Sequence, residues 1–324
     1  MNHLIFGGSG FIGTHLKNYL LHLGVDSKNI TKYDISRKVS DDFEIADVRE
    51  TVTINKADLQ NSIIYNFAAV HTTPGHEIHE YFETNILGAE NICNFARANN
   101  IETIVFTSSI APYGPSEEFK TESTIPMPNI PYGISKLTAE YIHKLWQNEK
   151  PDTRKLIIVR PGVVFGKSEG GNFTRLYKSL KKGFFFYPGR KDTIKAAVYV
   201  KDVVRIVYES SQKEPPGVLT LNLSLFPAPT IETICQTMAK ITGLKPPKIL
   251  IPAWMLVTTA RILYFSAWIF GKKINGIHPE RVRKLMISTN VSGEKLSKSQ
   301  YRLQFSLEEA IKDWYNDCGN KELC

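Results

Sequence analysis

Apolar positions in the first half of the chain switch repeatedly between two spacings. His3–Phe6 is a short apolar run. From Phe11 the spacing turns helical through Phe11, Ile12, Leu16, Leu20 and Leu23, and Gly24 supplies a stop signal. Asn29–Asp34 predicts a second strand and Phe43–Asp47 a short third. Ile63–Ala69, apolar apart from Tyr65 and Asn66, predicts a buried strand, and Tyr81–Ala98 a long helix. Glu102–Ser108 predicts another buried strand, Tyr132–Trp146 a helix, and Lys155–Arg160 a further strand.

Strands alternating with helices imply a parallel sheet covered on both faces. Right-handed crossovers then make it doubly wound. Past residue 165 the pattern loosens, and punctuation rises at Pro188-Gly189, Pro215-Pro216-Gly217, Pro227 and Pro246-Pro247. Strand-like Val218–Leu223 and helices over Ile231–Ile241 and Leu307–Trp314 follow. The expected fold class is α/β: a Rossmann-type doubly wound parallel sheet with a smaller C-terminal α/β substrate lobe. Residues 1–165 would form the dinucleotide-binding domain, with 196–226 returning to it, and 166–195 and 227–324 the lobe.

The 324 residues suffice for a real core. With 40 Lys+Arg against 32 Asp+Glu, the net charge of +8 favours anionic ligands. No long basic run with interleaved aromatics points to nucleic acid, and pairs such as Lys181-Lys182 and Lys272-Lys273 read as solvated surface. Cys93, Cys235, Cys318 and Cys324 form no CxxC pair and have no histidine at zinc spacing, so no metal is expected. That usage, with no basic leader before Leu4–Phe6, fits a reduced cytoplasmic compartment. The apolar run Ile249–Phe270 is interrupted by Pro252 and Arg261. A bilayer span wants roughly 20 uninterrupted apolar residues. The run reads first as a buried or half-exposed helix, and second as a peripheral membrane contact.

Gly7, Gly10 and Gly13 form GxxGxxG between the first strand and the first helix. Such a turn lets backbone approach a pyrophosphate, which meets the free N–H groups of the helix start. Asp34 ends the second strand, where a carboxylate accepts from adenine-ribose hydroxyls and repels a 2′-phosphate, favouring NAD over NADP. Arg37 and Lys38 follow closely and could receive that phosphate. Tyr132 and Lys136 are four apart and share a helix face. An ammonium near a phenol favours the phenolate, which can take a proton from a substrate hydroxyl. Thr107-Ser108-Ser109 closes a buried strand whose end faces the ligand crevice.

With Gly7–Gly13, Thr107–Gly114 (TSSIAPYG), Tyr132–Lys136, Arg160–Gly166 (RPGVVFG) and Tyr199–Asp202 in this order, the chain resembles the extended short-chain dehydrogenase/reductase family. The resemblance is to its NAD-dependent sugar-nucleotide epimerase/dehydratase branch, of UDP-glucose 4-epimerase type. It implies catalytic roles for Tyr132, Lys136 and Ser109. It implies cofactor contacts at Gly7, Ser9, Gly10, Phe11, Ile12, Gly13, Asp34, Asp47, Val48, Phe67, Ala68, Ala69, Asn85, Thr107, Tyr132, Lys136 and Pro161. Ser109, His71, Asn172 and Lys195 would meet the substrate, Lys195 standing where some relatives carry a diphosphate-binding arginine. Arg281 and Arg283 are candidates for a second such arginine. Relatives of this kind dimerise through helices at about 85–98 and 132–147.

The resemblance implies an NAD-dependent sugar-nucleotide epimerase or 4-ketoreductase. A dehydratase would need a carboxyl pair where Ile110 and Ala111 stand. The alternative is an NAD(P)-dependent reductase or dehydrogenase of a hydrophobic alcohol, 3-beta-hydroxysteroid dehydrogenase-like, which Ile249–Phe270 would suit. A non-catalytic nucleotide-binding regulator would have no need of Tyr132, Lys136 and Ser109.

Overall fold

The computed structural model describes residues 1–35, 43–54, 58–72, 75–256, 258 and 286–324. In chain order it runs β1 (Asn2–Phe6), α1 (Phe11–His22), β2 (Ile30–Asp34), β3 (Glu44–Ile45) and β4 (Ser62–Asn66). Next come α2 (Ile78–Phe82), a π-helical turn (Glu83–Leu87), α3 (Gly88–Ala98), β5 (Thr103–Thr107), β6 (Ser116–Lys120), α4 (Pro131–Asn148) and β7 (Lys155–Pro161). The remainder is β8 (Val163–Phe165), α5 (Asn172–Lys181), β9 (Tyr187–Pro188), β10 (Ala197–Tyr199), α6 (Val200–Lys213), β11 (Gly217–Leu223), α7 (Ile231–Thr242), β12 (Leu250–Ile251), β13 (Thr289–Val291) and the C-terminal helix Leu307–Asp317.

Seven strands form one parallel sheet in the order β11-β7-β5-β4-β1-β2-β3. The direction of winding reverses between β1 and β4, which opens a crevice at their C-terminal ends. The central strands β1, β4, β5 and β7 are mainly apolar on both faces because both are covered. On one face α1 and α6 bring Leu16, Leu20, Val203, Val204 and Val207 against Ile5, Val105 and Ile157. On the other, α3 and α4 bring Ile92, Phe95, Ala139 and Trp146 against Leu4, Phe6, Ile104 and Ile158.

The strand and helix order expected from the periodicity is present, with four adjustments. The third strand shrinks to Glu44–Ile45. β4 stops at Asn66, so Phe67–Ala69 are loop, close under the Gly7 turn. The helix expected from Tyr81 starts at Ile78, where Glu77 and Glu80 form a reciprocal cap, and it contains the π-turn. The run from Ile249 does not begin as a helix: Leu250–Ile251 pair with Tyr187–Pro188, and helical structure starts at Ala253. The rest of that run, beyond 258, lies outside the described residues, as do Arg37, Lys38, Lys272, Lys273, Arg281 and Arg283.

Among the described residues no helix is long and apolar enough to cross a membrane. Cys318 and Cys324 form a disulfide that spacing gave no sign of, while Cys93 and Cys235 are buried free thiols.

Candidate active site

Gly7 opens the turn after β1 with φ +72°, a conformation that costs a side-chain-bearing residue energy. A Cβ there would stand 2.7 Å from the Ala68 backbone nitrogen, so any side chain would push the turn off the segment after β4. Gly10 caps α1 without any side-chain cap, leaving the first N–H groups of a 12-residue helix facing the crevice. Gly13, Phe11 and Ile12 lie in its first turn, where a Cβ on Gly13 would meet Gly8 Cα at 2.7 Å. Ser9 donates from its N and its Oγ to Asp34 Oδ2, at 3.1 and 2.5 Å. The carboxylate at the end of β2 is thereby held beside the glycine turn.

Val48 is buried against Gly88, and Asp47 pairs with Arg49 at 2.6 Å. Asn85 does not offer its amide to the crevice. Its Oδ1 accepts from Val70 N (3.0 Å), and its Nδ2 donates to Val70 O (3.0 Å) and Ser135 Oγ (2.8 Å). It ties the segment before His71 to the start of α4. His71 is exposed.

The strand-end hydroxyls divide their work. Thr107 Oγ1, at the end of β5, is buried with no hydrogen-bond partner. Ser108 Oγ points away and donates to Glu140 Oε1 at 2.5 Å. Ser109 Oγ accepts from Ala111 N at 3.1 Å, and its side chain is close enough to Tyr132 to oppose the rise that burial imposes on the phenol's pKa. Pro161 closes β7 and accepts from Ile110 N at 3.2 Å, which fixes the Ser109 segment to the neighbouring strand.

α4 starts with Pro131, a residue suited to a first helical position. Tyr132 sits on that first turn, its ring 6.4 Å from the Tyr81 ring. Lys136 is one turn on, buried, with Nζ 4.5 Å from the Phe106 ring centroid. The sequence led us to expect the ammonium to favour the phenolate directly. Burial raises the Tyr132 pKa, and the Ser109 side chain works against that rise. Burial also pulls the Lys136 ammonium down to about 7, against the attraction of Glu140. Desolvation acts on both members of the pair because the crevice is walled by Phe106, Tyr81 and the sheet.

Sequence reasoning missed the layer behind this pair. Arg160 donates to Glu140 at 2.8 Å (Nε to Oε1) and 2.5 Å (Nη2 to Oε2), and to Tyr113 Oη at 2.6 Å. Tyr113 Oη donates in turn to Asn222 Oδ1 at 2.9 Å. Burial opposes the charge on Arg160, but Glu140 outweighs it and its pKa is raised. The available signal was Glu140 four residues after Lys136, on the same helix face.

Gly133 fixes the spacing between α4 and Ser109. A Cβ there would fall 2.7 Å from Ala111 O. Gly133→Ala is expected to push the helix start off the 109–111 segment, move Tyr132 away from Ser109 and cut turnover by about tenfold or more, a shift of roughly 1 Å being enough. Steady-state kinetics beside a cofactor titration check this, and normal turnover would show the spacing to be immaterial.

Of the expected substrate residues, Ser109 is in the crevice. Asn172 is exposed at the start of α5, accepting from Arg175 at 3.1 Å. Lys195 donates from Nζ to Ile287 O at 2.9 Å, and burial lowers its pKa to about 8. Its neighbour Ala196 packs with Ile110 and Tyr113, directly after Ser109.

The residues fit a dinucleotide. The glycine cradle admits backbone-close atoms only, the first turn of α1 has free N–H donors, Asp34 is held beside that turn by Ser9, and Thr107 Oγ1 is buried with no hydrogen-bond partner in the protein.

Comparison with known proteins agrees. The chain is 26% identical over 310 residues to N-acetyl-alpha-D-glucosaminyl-diphospho-ditrans,octacis-undecaprenol 4-epimerase of Escherichia coli O157:H7, covering 96% of this chain and 93% of that protein. It superimposes on UDP-glucuronic acid 4-epimerase from Bacillus cereus in complex with NAD with a TM-score of 0.70 at 19% identity, covering 99% of each chain. Human epimerase family protein SDR39U1 with NADPH gives a TM-score of 0.76 at 18% identity, covering 98% of this chain and 100% of that one. The model of the NAD dependent epimerase/dehydratase family matches residues 3–221, and the chain belongs to that family of enzymes.

Proposed function

We propose that this enzyme inverts a hydroxyl-bearing carbon of a sugar carried on a diphosphate, as a 4-epimerase of the nucleotide-sugar class. The observation that carries this is that Tyr132, at the start of α4, and Ser109, just past the end of β5, meet at the C-terminal edge of the sheet on the same crevice as the glycine turn. NAD, when bound, supplies the oxidation and reduction of that carbon. Gly7–Gly13, Asp34, Phe67–Ala69, Thr107 and Pro161 would hold it, with Lys136 at its ribose. Asp34, already fixed beside the turn by Ser9, repels a 2′-phosphate and decides for NAD over NADP. Tyr132 Oη takes the substrate hydroxyl proton and later returns it, and Ser109 orients the same oxygen. The carboxyl pair of a dehydratase is replaced by Ile110 and Ala111.

The relative matched over most of the chain is named as a 4-epimerase of a diphosphate-linked sugar, and shorter matches as UDP-glucose 4-epimerases. Both favour epimerisation over the reductase of a hydrophobic alcohol. Segments 166–195 and 227–324 would make the substrate lobe, with Lys195 at the diphosphate. A homodimer is proposed through the π-turn, α3 and α4, where Leu87, Ile134, Tyr141 and Leu145 stand exposed. We place the enzyme in the cytoplasm with a peripheral membrane contact starting at Ile249. The test is a panel of UDP-, GDP- and dTDP-sugars with product stereochemistry read by NMR. Inversion at one carbon with no net cofactor consumption is expected, and stoichiometric cofactor consumption would mean a reductase instead.

A further inference from the structure

Ser109 stands on a short segment whose two feet are held by one ion pair. At the near foot, Ser108 Oγ donates to Glu140 Oε1 at 2.5 Å. At the far foot, Tyr113 Oη accepts from Arg160 Nη1 at 2.6 Å and donates to Asn222 Oδ1 at 2.9 Å. Arg160 joins the feet by donating from Nε to Glu140 Oε1 at 2.8 Å and from Nη2 to Oε2 at 2.5 Å. Its guanidinium also lies over the Tyr113 ring, 5.0 Å from the centroid. Ser108, Tyr113, Glu140, Arg160 and Asn222 are all buried, so these bonds form away from water and are the stronger for it.

The same pair grips the helix that carries the phenol. Glu140 is two steps of four along α4 from Tyr132, with Lys136 at the step between. Arg160 precedes Pro161 on β7, whose carbonyl receives Ile110 N at 3.2 Å. The helix, the strand and the Ser109 segment therefore converge on one carboxylate and one guanidinium. Stability alone does not account for such a pair, because apolar residues of similar volume serve a core as well or better. Charged groups with every bonding direction committed fix angles as well as distances. What they fix here is the place of Ser109 against Tyr132, where a displacement of roughly 1 Å can cost up to about 100-fold in rate.

We infer that Glu140 and Arg160 are positioning residues for the reaction, gripping the Ser109 segment through Ser108 and Tyr113 so that Ser109 meets Tyr132. The inference rests on the roles of Ser109 and Tyr132 in the reading above. Tyr113→Phe and Ser108→Ala each release one foot and leave the Glu140–Arg160 pair charged and joined. The titratable groups around Tyr132 and Lys136 also stay in place: Tyr81 from α2, His71 after β4, and Glu140 and His143 on α4. Two readouts are taken on the NAD-loaded full chain. The first is the pH midpoint of the phenolate absorbance that Tyr132→Phe abolishes. It should rise by about half a unit or more in either variant, because Ser109 favours the ionised phenol. The second is turnover across the panel of UDP-, GDP- and dTDP-sugars. There kcat should fall roughly tenfold with KM within about twofold, and in a Ser109→Ala background the same substitutions should change kcat by less than about twofold. Ser306→Ala, which removes the cap of the C-terminal helix and so measures general loosening, should move neither readout. An unmoved midpoint overturns the inference and leaves the epimerase reading to the panel. An undiminished loss of kcat in the Ser109→Ala background, or an equal shift in Ser306→Ala, overturns it by making the pair a brace for the fold alone. A raised midpoint with no sugar of the panel turned over by the wild type keeps the inference and overturns the epimerase reading.

Discussion

Tyr132→Phe is expected to keep cofactor affinity and lose about 100-fold or more in turnover, the scale of a lost acid/base group. Phenylalanine has the same ring and removes one oxygen, so the contact with Tyr81 survives and only the hydroxyl beside Ser109 is lost. The dinucleotide cradle stands on α1 and the β1–β4 crevice, so it is untouched. Cofactor titration and single-turnover kinetics on the same preparation separate the two effects. A variant that turns over normally would remove the phenol from the reaction; one that no longer binds cofactor would show the hydroxyl to be a binding group.

The second large effect is on folding. Glu140 and Arg160 are 0% and 5% exposed at their side chains and hold each other through two hydrogen bonds. Glu140→Ala would leave the Arg160 guanidinium buried with only the Tyr113 hydroxyl, and removing one partner of such a pair costs about 3–5 kcal/mol. Glu140→Met/Arg160→Met should recover much of that, since apolar replacements of similar volume restore packing without an unpaired charge. Urea unfolding of the three proteins tests this. A single-variant loss below about 1 kcal/mol, the range of an exposed pair, would mean water reaches the guanidinium.

The sheet was readable in the sequence because its signals are local. Leu16 and Leu20 recur at helical spacing, Gly7 and Gly10 mark the turn, and Ile104–Phe106 is a run that only a covered strand tolerates. The Tyr132–Lys136 pair was readable for the same reason, being one helical turn. Its electrostatics were not: the desolvation that raises Tyr132 and lowers Lys136 comes from Phe106 and from the sheet, which the helix sequence does not contain. The Glu140–Arg160–Tyr113–Asn222 chain was hidden because its members come from α4, β7, the segment after β5, and β11. Only sheet register brings them together.

The lobe was hardest to read. β9 and β12 are two residues each and 63 apart in sequence by their Tyr187–Leu250 pairing, and neither has a periodicity to detect. The apolar character of Ile249–Leu250 was visible, but the partner strand that makes them an outward edge was not. Asn85 was singled out by resemblance, yet its amide is consumed by Val70 and Ser135, so its contribution to the crevice is to hold the walls.

The last helix packs against α7 and Phe165 of β8. Trp314 and Ile311 are fully buried in the same cluster as Ile5, Leu16 and Leu20, Asp313 accepts from the Tyr199 hydroxyl at 2.8 Å and the Lys201 amine at 2.6 Å, and the Cys324 carbonyl receives Ser168 N at 2.7 Å. As the chain emerges from the ribosome, the apolar side of α7 and Phe165 therefore stay greasy and open until residues 307–317 are made. A nascent chain stalled near residue 290 would be a client for chaperones rather than a half-finished enzyme.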